Sequence, residues 1–232
     1  MFCRLRQSRR FCANKVLVER DQEVRDAVRM TTIQVEALRT KKTVALARGL
    51  LGKHLVRRFA DGRIEARLIT EVEAYHGEGD LACHARVGRT ARTEVMYAPG
   101  GVWYVYLCYG IHQMLNLVVG PRDWPAAVLI RGVEGVSGPG RVTKALQVDR
   151  RLNGAPAAEV SGLWIEDRGV RVPRRLVRAT PRIGVDYAGP VWAKKRWRFV
   201  LTGTLATAGP AKANAPRAAR RTRKSKSSPG RV

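Results

Sequence analysis

One stretch constrains the fold of this chain more than any other. Residues 102–109 read Val-Trp-Tyr-Val-Tyr-Leu-Cys-Tyr, Gly110 interrupts, and residues 111–119 read Ile-His-Gln-Met-Leu-Asn-Leu-Val-Val. Aromatic and β-branched residues at this density favour strand over helix. Two such runs broken by a glycine predict a hairpin with its tip near Tyr109 to His112.

A second strand-like run, residues 63–75, follows an Asp61-Gly62 turn and a first short strand at 54–59. Period-2 alternation sorts it into two faces. Ala66, Leu68, Thr70, Val72 and Ala74 form a small or apolar face; Arg67, Ile69, Glu71, Glu73 and Tyr75 form the other. Two carboxylates and a phenol thus share one face near the strand's C-terminal end. Further strands are predicted at 126–131, 163–166 and 196–202. Helices are predicted at 43–51, with Thr43 as N-cap and Gly52 as terminator, and from Gly138-Pro139-Gly140 through Gln147. Residues 76–99 and 181–188 read as irregular chain, and no internal repeat is present. A stretch of this length as at 76–99 is usually functional or disordered. It carries His84, Arg86, Arg89 and Arg92.

Composition bounds the partner. The chain has 232 residues, 44 Lys+Arg against 19 Asp+Glu, and a net charge of +25. At 45% hydrophobic residues it is too apolar for a disordered polycation, and it has no apolar run approaching a membrane span. The charge points to a polyanion, above all nucleic acid. Residues 1–38 read as an N-terminal extension containing a helix-like stretch from 21 to 38, with Met30 as an alternative start. Residues 39–208 form the expected domain, with 28 basic and 14 acidic side chains. Residues 209–232 carry 8 basic and no acidic side chains, and read as a disordered basic tail suited to phosphate contacts. There is no apolar secretory segment. Four scattered cysteines without a CxxC pair indicate reduced intracellular thiols. Cys83-His84 with Cys108 and His112 match no common zinc spacing, so no metal and no cofactor is expected.

The chemistry-bearing groups then fall into a pattern. A carboxylate face at Glu71 and Glu73 stands beside Tyr75, an aromatic hairpin holds Trp103, Tyr104, Tyr106 and Tyr109, and a glycine-rich loop with His84 lies between them. On a basic protein, stacked aromatics and a carboxylate suit a pocket that receives an extruded base. An aromatic at a hairpin tip suits a wedge that fills the vacated place in the duplex. The plainer reading has Tyr104 and Tyr106 filling a sheet core, Glu71 and Glu73 as surface charges paired with Arg67, and His84 as a loop residue without a role.

Glu73-Ala74-Tyr75, His84, Tyr104-Val105-Tyr106, Tyr109-Gly110, Asn116 and Leu129-Ile130-Arg131 stand in the order and near the spacing of the alkyladenine (3-methyladenine) DNA glycosylases. Gly138-Pro139-Gly140 to Leu146 and Arg182-Ile183-Gly184-Val185 resemble that family's later segments. The resemblance covers about residues 43–204, and neither terminal extension belongs to it. It implies one mixed α/β (α+β) domain around a curved, mainly antiparallel sheet, with peripheral helices and a protruding hairpin that inserts into DNA. It implies a monomeric, intracellular, DNA-associated enzyme that flips alkylated or deaminated purines out of double-stranded DNA. Glu73 matches the general base that activates water for attack on C1′, and Arg131 an arginine that helps position that site. Tyr75 and His84 match residues packing one face of the flipped base, and Tyr106 its partner on the other face. The backbone amide at His84 matches the group that reads the base edge. Asn116 matches the residue that disfavours the amino group of normal guanine, and Tyr109 the tyrosine inserted into the minor groove. Glu71 is the runner-up base. No lysine falls at the matched positions, which implies hydrolysis to an intact abasic site without lyase chemistry. Ile111 and His112 depart from the bulkier tip expected from vertebrate relatives. The competing readings are a non-enzymatic basic nucleic-acid binder and, more weakly, a metal-dependent nuclease using Glu71 and Glu73.

Overall fold

The computed structural model describes residues 32–203 of the chain. The alternative start at Met30, the tail at 209–232 and residues 21–31 of the helix-like 21–38 stretch lie outside those residues.

Among the described residues nine strands form one sheet, and every pairing is antiparallel. In chain order they are β1 (His54–Arg58), β2 (Ile64–His76), β3 (Trp103–Cys108), β4 (His112–Val119), β5 (Ala126–Val133), β6 (Val136–Ser137), β7 (Leu163–Glu166), β8 (Val177–Thr180) and β9 (Arg198–Leu201). The spatial order is β3-β4-β5-β2-β1-β7; β6 pairs with β5, β9 also pairs with β2, and β8 pairs with β9. The helices are short: α1 (Val35–Leu38), α2 (Thr43–Leu50), α3 (Pro139–Ala145) and α4 (Gly189–Ala193). The expected architecture is therefore present: a mixed α/β domain on a curled antiparallel sheet with few peripheral helices.

Alternation gives the sheet two unlike faces. Val72 and Ala74, Trp103 and Val105, Leu115 and Leu117, and Val128 and Ile130 join the main hydrophobic core. Ala47 and Leu50 of α2 and Val142 of α3 close that core, so both helices lie on this side of the sheet. The residues between them in sequence, such as Glu73, Tyr104, Asn116 and Leu129, belong to the opposite side.

The structure corrects the predicted faces of residues 63–75 at one point. Ile69 was expected beside Glu71 and Glu73, yet it is fully buried in the core with Val72. The β2–β5 register shifts on both sides of Glu71, which pairs with Gly132. The two shifts cancel: Ile69 opposes Val133 and Val72 opposes Ile130, and all four side chains lie in the core, so across the irregularity an odd and an even residue share a face on both strands. A Cβ on Gly132 would stand 3.0 Å from Glu71 Cβ and from Thr70 Oγ1, so a larger residue would force these neighbours to give way.

Other expectations shift at their edges. Thr43 is the first residue of α2 and not its N-cap; Lys42 holds that place, and the buried Thr43 hydroxyl meets His76 Nδ1 at 2.9 Å. Gly52 has φ +81° just past the helix, as expected of a terminator, and a Cβ there would lie 2.5 Å from Val172. The irregular 76–99 stretch contains two single 3₁₀ turns, His84–Val87 and Glu94–Tyr97. β8 was not predicted: four arginines between 171 and 178 mask an alternation in which Val177 and Ala179 pack on the core.

Candidate active site

β2 carries Glu71, Glu73 and Tyr75 on the side of the sheet away from α2 and α3. Arg131, near the end of β5, reaches across both carboxylates. Its Nε donates to Glu71 Oε1 at 2.9 Å and its Nη1 to Glu73 Oε2 at 3.4 Å. Arg198 on β9 donates to the same Glu71 oxygen at 2.6 Å. Glu73 receives two further bonds, from Tyr75 Oη to Oε2 at 2.8 Å and from the Ile183 backbone N–H to Oε1 at 2.9 Å. The pairing with Arg67 is absent: Arg67 bonds Glu65 and the Glu134 carbonyl.

Glu73 is completely buried. Burial pushes its carboxyl above the usual range, against the opposing pull of Arg131, the Ile183 N–H and the Tyr75 hydroxyl. The Tyr75 phenol is raised well above its usual value, first by burial and then by the Glu73 charge. It therefore stays protonated and serves as a donor.

In front of this carboxylate lies a cavity of about 460 Å³. Tyr75, His84, Tyr106, Asn116, Tyr109 and Arg131 all line it, so six of the seven predicted site residues converge on one space. Glu73 is the seventh and sits behind the wall made by Tyr75, Arg131 and Ile183. Tyr104 is buried, as the plainer reading allows, but it also holds the site: its hydroxyl lies 3.0 Å from His84 Nδ1. The His84 ring meets the Tyr106 ring edge-on, with centroids 4.6 Å apart. Burial, then the Arg92 and Arg86 charges, lower the His84 pKa to about 4, so the ring is neutral at physiological pH. The Arg92 guanidinium lies 5.1 Å from the Tyr106 ring centroid. Asn116 is buried and donates from Nδ2 to the Tyr104 carbonyl at 3.1 Å.

The β3–β4 tip is Tyr109, Gly110 and Ile111. Tyr109 takes φ +50° and is 90% exposed, and Ile111 is 72% exposed. Two large apolar side chains at full exposure on a hairpin tip are costly in water and suit a surface that inserts into something.

Sequence reasoning missed the brace behind the site. Asp80 and Arg182 are both buried and form a bidentate pair, with Nη2 to Oδ1 at 2.8 Å. Asp80 also accepts from the backbone of His76 and Ala82, while Arg182 donates to the Ala74 carbonyl and lies 4.9 Å from the Tyr75 ring centroid. This pair ties the loop after β2 to the segment that delivers the Ile183 N–H. The Arg182 segment had been singled out by resemblance, but no spacing in the sequence points to Asp80 as its partner. Among the described residues no three His, Cys, Asp or Glu side chains gather into a metal-binding group. Burial also pushes the Cys83 thiol up to about 12.

A carboxylate braced behind an aromatic cavity, beside an exposed hairpin tip, has the layout of an enzyme that handles a flat ring. Comparison with known proteins gives that class its place. The family model described as methylpurine-DNA glycosylase matches residues 37–137 and 134–205, and the chain belongs to that family of DNA-repair glycosylases. A relative from Psychrobacter cryohalolentis is 45% identical over 193 residues, spanning 70% of this chain and 88% of its own length. Relatives from an Anaeromyxobacter species and from Methanocella arvoryzae are each 44% identical, over 170 and 179 residues. They cover 70% and 68% of this chain and 86% and 87% of their own lengths. All three carry the name "putative 3-methyladenine DNA glycosylase". Among the described residues no helix is long and apolar enough to cross a membrane.

Proposed function

We propose that this chain flips alkylated or deaminated purines out of double-stranded DNA and hydrolyses their N-glycosidic bond with a water activated by Glu73. The purines are of the 3-methyladenine, 7-methylguanine, hypoxanthine and ethenoadenine type. The observation that carries this reading is the state of Glu73: fully buried, held by three donors, and separated from an aromatic cavity only by the groups that bond it.

The chemistry follows from that state. Burial makes the carboxylate a stronger base, while Arg131, Tyr75 and the Ile183 N–H keep the ionised form accessible. An ionised Glu73 orients water toward C1′ and offsets the positive charge that grows there as the base departs. Glu71 is occupied by Arg131 and Arg198, which suits a residue that aims Arg131 and not the base itself. A purine alkylated at N3 or N7 is cationic, so it leaves readily and is attracted to aromatic faces.

Tyr75 and Tyr106 supply the two faces of the base slot. A sandwiched ring needs about 7 Å between its neighbours, twice a van der Waals contact, which the 4.6 Å His84–Tyr106 contact does not give. His84 therefore serves the edge of the base, as a neutral group fixed by Tyr104. Asn116 borders the same slot and discriminates against normal guanine, and Tyr109 fills the place of the extruded nucleotide. Among the described residues no lysine lines the cavity, which supports release of an intact abasic site. The protein acts as a monomer.

The test is Glu73→Gln on duplex DNA carrying 7-methylguanine or hypoxanthine. Binding to the damaged duplex persists, and single-turnover excision falls by about 10² to 10⁴, the range of a lost general base. A wild-type chain that releases no base from methylated DNA sinks the proposal.

A further inference from the structure

The side of the sheet away from Glu73 carries cations that no acid neutralises. Residues 170–177 cross the outer flank of α2 and enclose a groove of about 470 Å³. Arg48, Lys53, Arg171 and Arg174 line it over a partly apolar floor that includes Val172 and Val177. Lys53 is paired with Asp167 at 2.5 Å. Among the described residues Arg48, Arg171 and Arg174 form no ion pair, unlike Arg58, Arg63 and Arg151, which pair with Glu159, Glu65 and Asp149. Three guanidinium groups without an acidic partner thus meet in one groove.

The groove and the cavity share no lining residue. Val172 and Val177 pack on the same core as Ala47 and Leu50 of α2, and the missing Cβ of Gly52 makes room for Val172. The groove therefore belongs to the helix side of the sheet, while Glu73, Tyr75 and Tyr106 belong to the other.

We propose that the groove binds the phosphodiester backbone of a second duplex segment while a first occupies the cavity. The inference rests on the reading that the cavity takes DNA. Guanidinium groups match phosphate oxygens in geometry and charge. No aromatic ring lines the groove to stack an unpaired base, and no side-chain amide lines it to read a base edge. The lining thus fits the backbone of a duplex, independent of sequence. An enzyme holding two segments passes from one to the other without release into solvent, which shortens its search for rare lesions.

The experiment uses the full chain, saturated with a short unlabelled duplex that carries an abasic-site analogue. A labelled undamaged duplex is then titrated in at several salt concentrations. Wild type binds the labelled duplex. Arg171→Glu with Arg174→Glu weakens that binding by about tenfold or more at low salt and lowers the salt slope by about 2. Arg171→Lys with Arg174→Lys retains it, and single-turnover excision of a short lesion duplex is the same in all three. Equal capture of the second duplex by the Glu variant overturns the proposal. So does a parallel loss of excision, which would place the groove in the first duplex's interface. Displacement of the labelled duplex by millimolar inorganic phosphate, or tighter binding of an acidic peptide than of the duplex, overturns it as well. Absence of base release by wild type refutes the glycosylase reading and is scored separately from second-duplex capture.

Discussion

The two faces of this sheet come from the same strands and obey opposite rules. On the helix side, Val72, Leu117 and Ile130 lie in the main apolar core. On the other side, Glu73, Tyr104 and Asn116 are equally buried, yet each has a polar partner. A buried polar group costs stability unless it is bonded, so the second face is assembled around satisfied hydrogen bonds, and its side chains have little freedom to move. One face holds the molecule together, and the other fixes a carboxylate and a slot in place. Substitutions that separate stability from rate test that division.

The largest separation is expected from Glu73→Gln against Trp103→Ala. The first lowers excision by about 10² to 10⁴, with a small change in melting temperature, because the isosteric amide still fills the same space. The second removes a fully buried indole that also donates to the Leu163 carbonyl at 2.9 Å. It lowers stability by about 3–5 kcal/mol and leaves the rate per folded molecule near wild type. Thermal unfolding and active-site-titrated kinetics on both variants check the contrast. Comparable rate losses per folded molecule would dissolve the distinction between the faces.

Arg131→Gln sharpens the comparison within the polar face. Arg131 is the largest of the influences that lower the Glu73 pKa, which burial raises overall. A general base works only when ionised, so excision falls as pH drops through that pKa. Removing the guanidinium raises the pKa further, and the acid limb of the pH–rate profile moves to higher pH. An unmoved limb would show that Glu73 is not the group being titrated.

How much of this was legible in the sequence follows the same division. Period-2 alternation is a local property, and it correctly put Glu71, Glu73 and Tyr75 on one side of β2. It failed at Ile69, because the irregular step at Glu71 depends on Gly132 in another strand. The hairpin was readable because its signal lies within twenty residues. The Asp80–Arg182 brace joins residues 102 positions apart, and the Arg198–Glu71 contact joins residues 127 apart. Nothing local to any of those four residues marks the pairing. Resemblance supplied the six cavity residues, but the reason they hold still appears only in three dimensions.

A smaller effect is expected where His84 meets Tyr104. Tyr104→Phe removes the hydroxyl that contacts His84 Nδ1 and costs about 1 kcal/mol of stability. It also loosens the ring at the base edge. Discrimination between hypoxanthine and normal purines, measured as a ratio of excision rates, narrows more than the rate on 7-methylguanine falls.

The smallest effect is a pH dependence of stability. His84 has a folded pKa of about 4 against an ordinary value of 6.5, lowered by burial and then by Arg92 and Arg86. Between those two values the unfolded chain binds a proton that the folded chain refuses. Stability therefore rises with pH across that window, and what His84 contributes is lost as pH falls from about 6.5 to about 4. His54 is shifted in the same direction, by burial and then by Arg168, so wild type alone cannot isolate the effect. The informative quantity is the difference between His84→Gln and wild type, measured by denaturant unfolding at pH 4.5 and pH 7.5. Relative to wild type, the variant gains stability at the lower pH, because one protonation that favours unfolding has been removed. An equal offset at both pH values would mean that His84 titrates alike in the folded and unfolded chain, and with it would go the picture of a desolvated ring at the edge of the base.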